Sequence, residues 1–197
     1  VMFNTVLSVW AKFSEINRGS EIGAQRADRL LSQMKLDFQT KPDTISYNSV
    51  MQAWSKSDSP NAATRVLELL EEMKSSDHRK CKPDHRTCNT ILMTLSKSRE
   101  GDSVKLVEDF LVEMKKDGIP PTVFQYNVLM STIVAADVDN ASTRVEGILQ
   151  MMEEAFQKGN LDMGPNMHSY NIAMNAYSKS EDPDASKKID AILRRMP

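Results

Sequence analysis

Cysteine, charge imbalance and long apolar runs are all scarce in this chain of 197 residues, and each shortage removes a class of answer. Two cysteines, Cys81 and Cys88, build no disulfide framework, which fits a reducing compartment or an organelle interior. No uninterrupted apolar run approaches the ~18 residues that a membrane-crossing helix needs, so no membrane association is predicted. A formal net charge of −2 lacks the basic excess of an indiscriminate polyanion binder. Any nucleic-acid contact has to come from where the charges are placed. Glycine-rich phosphate loops, a Gly-x-Ser-x-Gly elbow and the His-x-Glu with Cys-x-x-Cys signature of zinc deaminases are missing, so no catalysis and no cofactor are predicted within the segment.

What is present is a recurring frame. Pro42 precedes Asn48 by six residues, and the same step joins Pro83 to Asn89, Pro121 to Asn127 and Pro165 to Asn171. Each of these Asn residues is followed at twenty-five by a Met, namely Met73, Met114, Met152 and Met196, while a first copy stretches from Asn4 to Met34. Self-similarity at such a period marks a stacked repeat. Around each Asn the apolar residues fall at steps of three and four, as in Tyr47, Val50, Met51 and Trp54 or Tyr126, Leu129, Met130 and Ile133. A second amphipathic stretch ends at each Met: Val66, Leu69, Leu70 and Met73, then Val107, Phe110, Leu111 and Met114, then Val145, Ile148, Leu149 and Met152. Asp58-Ser59-Pro60 and Glu181-Asp182-Pro183 break the two stretches apart, and Gly118 follows the second.

The expected architecture is therefore all-α: an α-solenoid of five helix-turn-helix repeats, ten helices in antiparallel pairs, wound into a right-handed superhelix with the Asn-bearing helices inside. Repeat bounds are expected near 1–43, 44–84, 85–122, 123–166 and 167–197, with surplus length in the loops. The chain opens inside one repeat and closes as another would continue, and is read as a piece of a longer array. Leu31, Leu70, Leu111, Leu149 and Leu193, each three residues before a frame Met, are expected in the core. Most of the 13 methionines are assigned to core packing. His78, Cys81, His85 and Cys88 have zinc-ligand chemistry, but Cys88 fills the slot of Phe3, Tyr47, Tyr126 and Tyr170, which assigns its thiol to a helix interface. No metal site is predicted.

The combination Ser46-Tyr47-Asn48, Lys56, Glu72-Met73 and Lys82-Pro83-Asp84 resembles the pentatricopeptide repeat family, and the resemblance runs along essentially the whole chain. The Trp, Gly and Tyr signature of tetratricopeptide repeats is not seen. Units longer than the usual period are the main departure from the family. The resemblance implies single-stranded RNA as partner, one base per repeat, read by the anchor Asn with the residue five positions before the next anchor. That pairs Asn4 with Asp43, Asn48 with Asp84, Asn89 with Thr122 and Asn127 with Asn166, with Asn171 as the fifth anchor. The family's pairings imply uracil for Asn with Asp, cytosine for Asn with Asn, and a pyrimidine for Asn with Thr. Val1, Ile45, Arg86, Phe124 and His168, three residues before the anchors, take the family's base-wedging position. Lys12, Lys56, Lys97 and Lys179, eight residues after them, make a row suited to phosphates, which Ala135 interrupts.

The resemblance further implies organellar RNA processing, stability, editing or translation in mitochondria or plastids, by a monomer that works with other RNA-processing proteins. A second reading is a helical protein-interaction scaffold with little RNA affinity, favoured by the acidic balance and long loops. A third places a catalytic domain outside the segment, positioned by this array.

Overall fold

The computed structural model describes residues 2–17, 21–36, 40–76, 78, 80–98 and 102–196. Among them the chain forms ten α-helices and no strand. The contacts divide it into two compact units, Val1–Gly101 and Asp102–Pro197.

The first unit holds α1 (Met2–Ile16), α2 (Ile22–Leu36), α3 (Thr44–Lys56), α4 (Ala62–Lys74) and α5 (His85–Leu95). Helices α1, α3 and α5 lie side by side in one layer; α2 packs on α1 and α3, and α4 on α3 and α5. The layers meet because each helix carries one apolar stripe. Leu31 and Met34 of α2, Val50 and Met51 of α3, Val66, Leu69, Leu70 and Met73 of α4, and Ile91, Leu92 and Leu95 of α5 are all buried. Gly23 lets α2 sit close on α1, since a Cβ there would lie 3.1 Å from the Trp10 carbonyl oxygen and closer still to the Ser14 hydroxyl. Outside the apolar seam, α4 is tied to α2 by Arg65, whose guanidinium donates to both oxygens of Asp28 at 2.7 and 2.8 Å and to Glu68 and Glu72. The long stretch before α5 is held down by Thr44, whose hydroxyl donates to the carbonyls of Lys80 and Lys82 at 2.9 Å and accepts from the Lys82 N–H.

The second unit holds α6 (Ser103–Lys116), α7 (Val123–Ala135), α8 (Ala141–Gln157), a short 3-10 turn (Leu161–Met163), α9 (Met167–Ser178) and α10 (Ala185–Arg195). Here α7 packs on α6, α8 and α9, and α9 on α8 and α10. Val107, Phe110, Leu111 and Met114 bury against the α7 face, and Val145, Leu149 and Met152 fill the seam of α8 with its neighbours. Gly118 at φ +76 and Gly159 at φ +95 stop α6 and α8. In each case the next residue's N–H reaches five residues back, Ile119 to Met114 and Asn160 to Ala155, a closure that needs a left-handed residue. Arg144 donates to Glu108 at 2.8 Å, linking α8 to α6 as Arg65 links α4 to α2.

Tyr47 and Tyr126, which precede anchor Asn residues, are each covered by the lysine that follows the preceding frame Met: Lys35 at 5.6 Å and Lys115 at 5.8 Å from the ring centre. Four of the five frame leucines, Leu31, Leu70, Leu111 and Leu149, are buried. Leu193 corrects the expectation: it is 49% exposed, and Ile192 is the buried residue of α10. Leu70 lies on a helix packed between α3 and α5, whereas α10 packs on α9 and on no following helix among the described residues. The apolar face that a following helix would cover is therefore open.

Candidate nucleic-acid interface

Every helix that carries an anchor from the second repeat on starts the same way. Asp43, Asp84, Thr122 and Asn166 are the N-caps of α3, α5, α7 and α9, and the third helical residue of each, Ser46, Thr87, Gln125 or Ser169, returns the bond to the cap. This is a capping box, built from the Asp-x-x-Ser, Asp-x-x-Thr, Thr-x-x-Gln and Asn-x-x-Ser spacings. Its consequence is positional. It fixes the cap side chain at the mouth of the helix, and within each unit this sets Asp43 beside Asn4, Asp84 beside Asn48, and Asn166 beside Asn127.

In the first unit that juxtaposition becomes a hydrogen-bonded set. The Asn4 amide donates to both oxygens of Asp43 at 3.2 and 3.3 Å, and its own oxygen accepts from the Ser46 hydroxyl at 2.7 Å. One repeat on, Asn48 donates to Asp84 at 3.3 Å and accepts from Thr87 at 2.7 Å. Burial pushes the Asp43 carboxyl up, but the Ser46 backbone and hydroxyl, the Asn4 amide and the Ile45 backbone outweigh it, and it lies below the ordinary carboxylate value of 3.8. Asp84 is lowered against burial in the same way, by the Thr87 backbone and hydroxyl, the Asn48 amide and the Arg86 backbone. Both are ionised at neutral pH.

Asn48 and Asp84 open into a groove of about 310 Å³ that Lys12, Ile45, Gln52 and Arg86 also line. Ile45, the second residue of α3, is 58% exposed, and Arg86, the second residue of α5, is exposed too. The groove thus carries an amide, the carboxylates of Asp84 and Glu15, an apolar and a planar cationic side chain, and a lysine. Lys56 and Lys97 share a separate hydroxyl-rich cavity of about 590 Å³ with Ser55, Ser57, Ser59 and Thr94, and the Lys56 ammonium lies 3.8 Å from Glu15.

In the second unit Asn127 is 5% exposed and its amide lies 3.5 Å from the Asn166 oxygen, a long hydrogen bond. Phe124 is 43% exposed, and His168, Asn171 and Lys179 are exposed. Asn89 is half-buried on α5 of the first unit, while Thr122 caps α7 of the second. Val1 lies outside the described residues. His78, Cys81, His85 and Cys88 form no metal-holding group among the described residues; Cys81 is buried with its thiol toward the Met73 carbonyl at 3.7 Å, and burial raises its pKa. No helix among the described residues is long and apolar enough to cross a membrane.

The residues that sequence reasoning passed over are Ser46, Thr87 and Ser169. Their signal was present in the capping-box spacing two residues before each anchor.

Paired helices in two layers, with cap and anchor side chains meeting from one repeat to the next, define a helical-hairpin repeat protein of the α-solenoid class. Residues 68–136 match the model of the pentatricopeptide repeat domain. The crystal structure of the pentatricopeptide repeat protein PPR10 from maize is similar to the chain, with a TM-score of 0.65 and 22% sequence identity over 98% of this chain. This chain spans about a quarter of that one, 23% of its length. No curated protein matches it significantly.

Proposed function

We propose that this chain binds single-stranded RNA and selects its bases through the anchor Asn residues and their cap partners. The observation that carries the reading is the groove that Asn48, Asp84, Ile45, Arg86 and Lys12 line together. A carboxamide donates and accepts on a base edge, an exposed apolar or guanidinium side chain stacks on a base face, and a lysine neutralises a phosphate. A single-stranded nucleic acid needs these three contacts together. With repeats bounded near 44, 85, 123 and 167, each unit has its own anchor Asn, and Ala135 interrupts the lysine row.

With the family's pairings, the preferred RNA reads U, U, pyrimidine, C, pyrimidine from the N-terminal repeat, running 5′ to 3′. Arg86, Phe124 and His168 serve as stackers beside Ile45 and Val1, and Lys12, Lys56, Lys97 and Lys179 as phosphate contacts. The biological setting, organellar RNA processing, stability, editing or translation in mitochondria or plastids by a monomer, rests on the family likeness. Selection of bound RNA from a random pool by the purified chain tests the proposal: enriched pyrimidine-rich single strands support it, and an unenriched pool overturns it. The competing reading is a protein-binding scaffold, favoured by the net charge of −2 and by the Glu15 carboxylate beside Lys56. It gains if the chain captures no RNA at low salt.

A further inference from the structure

An anchor amide can read a base only if it presents a known edge. Rotating the amide by half a turn exchanges donor for acceptor while leaving the shape of the side chain almost unchanged. In the second repeat that rotation is blocked from two sides. The carboxylate of Asp84 accepts from Nδ2 of Asn48, and the Thr87 hydroxyl donates to Oδ1 at 2.7 Å. A rotated amide would turn its oxygen toward an ionised carboxylate. Ser46 makes the same contact with Asn4, also at 2.7 Å. With Oδ1 turned toward the hydroxyl and Nδ2 toward the carboxylate, the amide keeps one orientation, in which Nδ2 has a second N–H to offer a base.

The fourth repeat provides an internal contrast. Ser169 lies at the corresponding place, but its hydroxyl is 3.2 Å from the Asn166 oxygen and makes no bond to Asn127. Oδ1 of Asn127 is buried and has no partner. A buried acceptor without a donor is costly, and here it stands in a base-reading position. No hydroxyl holds this amide from its oxygen side.

We infer that the hydroxyl at the third position of the following helix, Thr87 for Asn48 and Ser46 for Asn4, is a positioning residue for base selection: together with the cap carboxylate it holds the amide in one orientation, with Nδ2 as the donor, and so favours carbonyl-bearing bases such as uracil. The inference rests on the RNA-binding reading and adds to it a residue that does not itself touch the base. The chemistry is one of edges: uracil offers a carbonyl acceptor where cytosine offers an amino donor.

The test compares the full chain with its Thr87→Val and Thr87→Ser variants on RNAs carrying U or C at the second base, with binding to U/C pairs at the first base as a control. Valine keeps the shape of threonine without the hydroxyl, and serine keeps the hydroxyl. The expected result is that Thr87→Val lowers the U-over-C preference at the second base by about 3- to 10-fold, leaves the first-base preference intact, and that Thr87→Ser retains the original preference. A change confined to one base is not the signature of a weakened fold. If Thr87→Val does not fold, Ser46→Ala with Ser46→Thr as its rescue asks the same of the first base. A variant that binds with an unchanged U/C ratio, while the parent discriminates, overturns this inference alone. A parent that binds RNA without preferring any base at either position overturns the base-reading function, and the inference with it.

Discussion

Arg65 on α4 grips both carboxylate oxygens of Asp28 on α2, at 2.7 and 2.8 Å. Two parallel N–H···O bonds fix the angle and the register of one second-layer helix against the other, which a single lysine contact would not. Glu68 and Glu72 hold the remaining face of the guanidinium, and its pKa is raised, chiefly by the Asp28 bond. In a double-mutant cycle of Arg65→Met and Asp28→Asn, the expected coupling is on the order of 1 kcal/mol. Independent, additive losses would mean that the apolar seam alone sets the register.

Leu111 and Leu193 occupy the same place in the repeat frame and opposite environments. Leu111→Ala should cost ~2–5 kcal/mol in chemical denaturation, because it leaves a cavity between α6 and α7. Leu193→Ala should cost less than about 0.5 kcal/mol, as expected for a surface position. Equal losses would contradict the open face of α10.

The cap carboxylates give the fold an acid limit. Asp43 and Asp84 have folded pKa values below the ordinary 3.8, so the stability they contribute is fully present above that value and is lost as pH falls through the folded values. Their contribution should be flat from about pH 7 to pH 5, begin to fall near pH 4 and disappear only below the folded values. Thermal melts of Asp43→Asn/Asp84→Asn should therefore start lower at neutral pH and fall less steeply in acid. A parallel decline in both proteins would assign the acid limb to other groups.

Neutralising Lys12, Lys56, Lys97 and Lys179 together should weaken binding to every RNA alike, since phosphate contacts carry no sequence information. The log-log salt slope for single-stranded RNA should become shallower by roughly 3, at about 0.7 per contact. An unchanged slope would place these lysines in solvent and favour the protein-scaffold reading.

Most of the fold was legible because its causes are local. The stripe Val66, Leu69, Leu70 and Met73 specifies a helix and its buried face, and Gly118 marks the stop of α6. Leu193 was misplaced because the frame assumes that every second helix is covered by a following one, a property of neighbours that spacing along one repeat does not encode. The 3-10 turn at Leu161–Met163, which buries Met163, leaves no mark in the sequence: three residues are too few to show a period. In the candidate site, the pairing of Asn4 with Asp43 and of Asn48 with Asp84 was available only through the family likeness, because partners 39 and 36 residues apart share no local periodicity. Ser46 and Thr87 were within reach of local reasoning, but a capping box is ordinarily taken as a helix-start signal. Its second role, in orienting the amide of the previous repeat, becomes visible only when two repeats are stacked.

The central claim is that Asn48 reads a base, and the most direct measurement is the affinity of the chain for four RNAs identical except at the second base, before and after Asn48→Thr. The account expects the parent to favour uracil there and the variant to shift toward a purine, with preferences at the other bases unchanged. Equal affinity for all four RNAs in both proteins would contradict it.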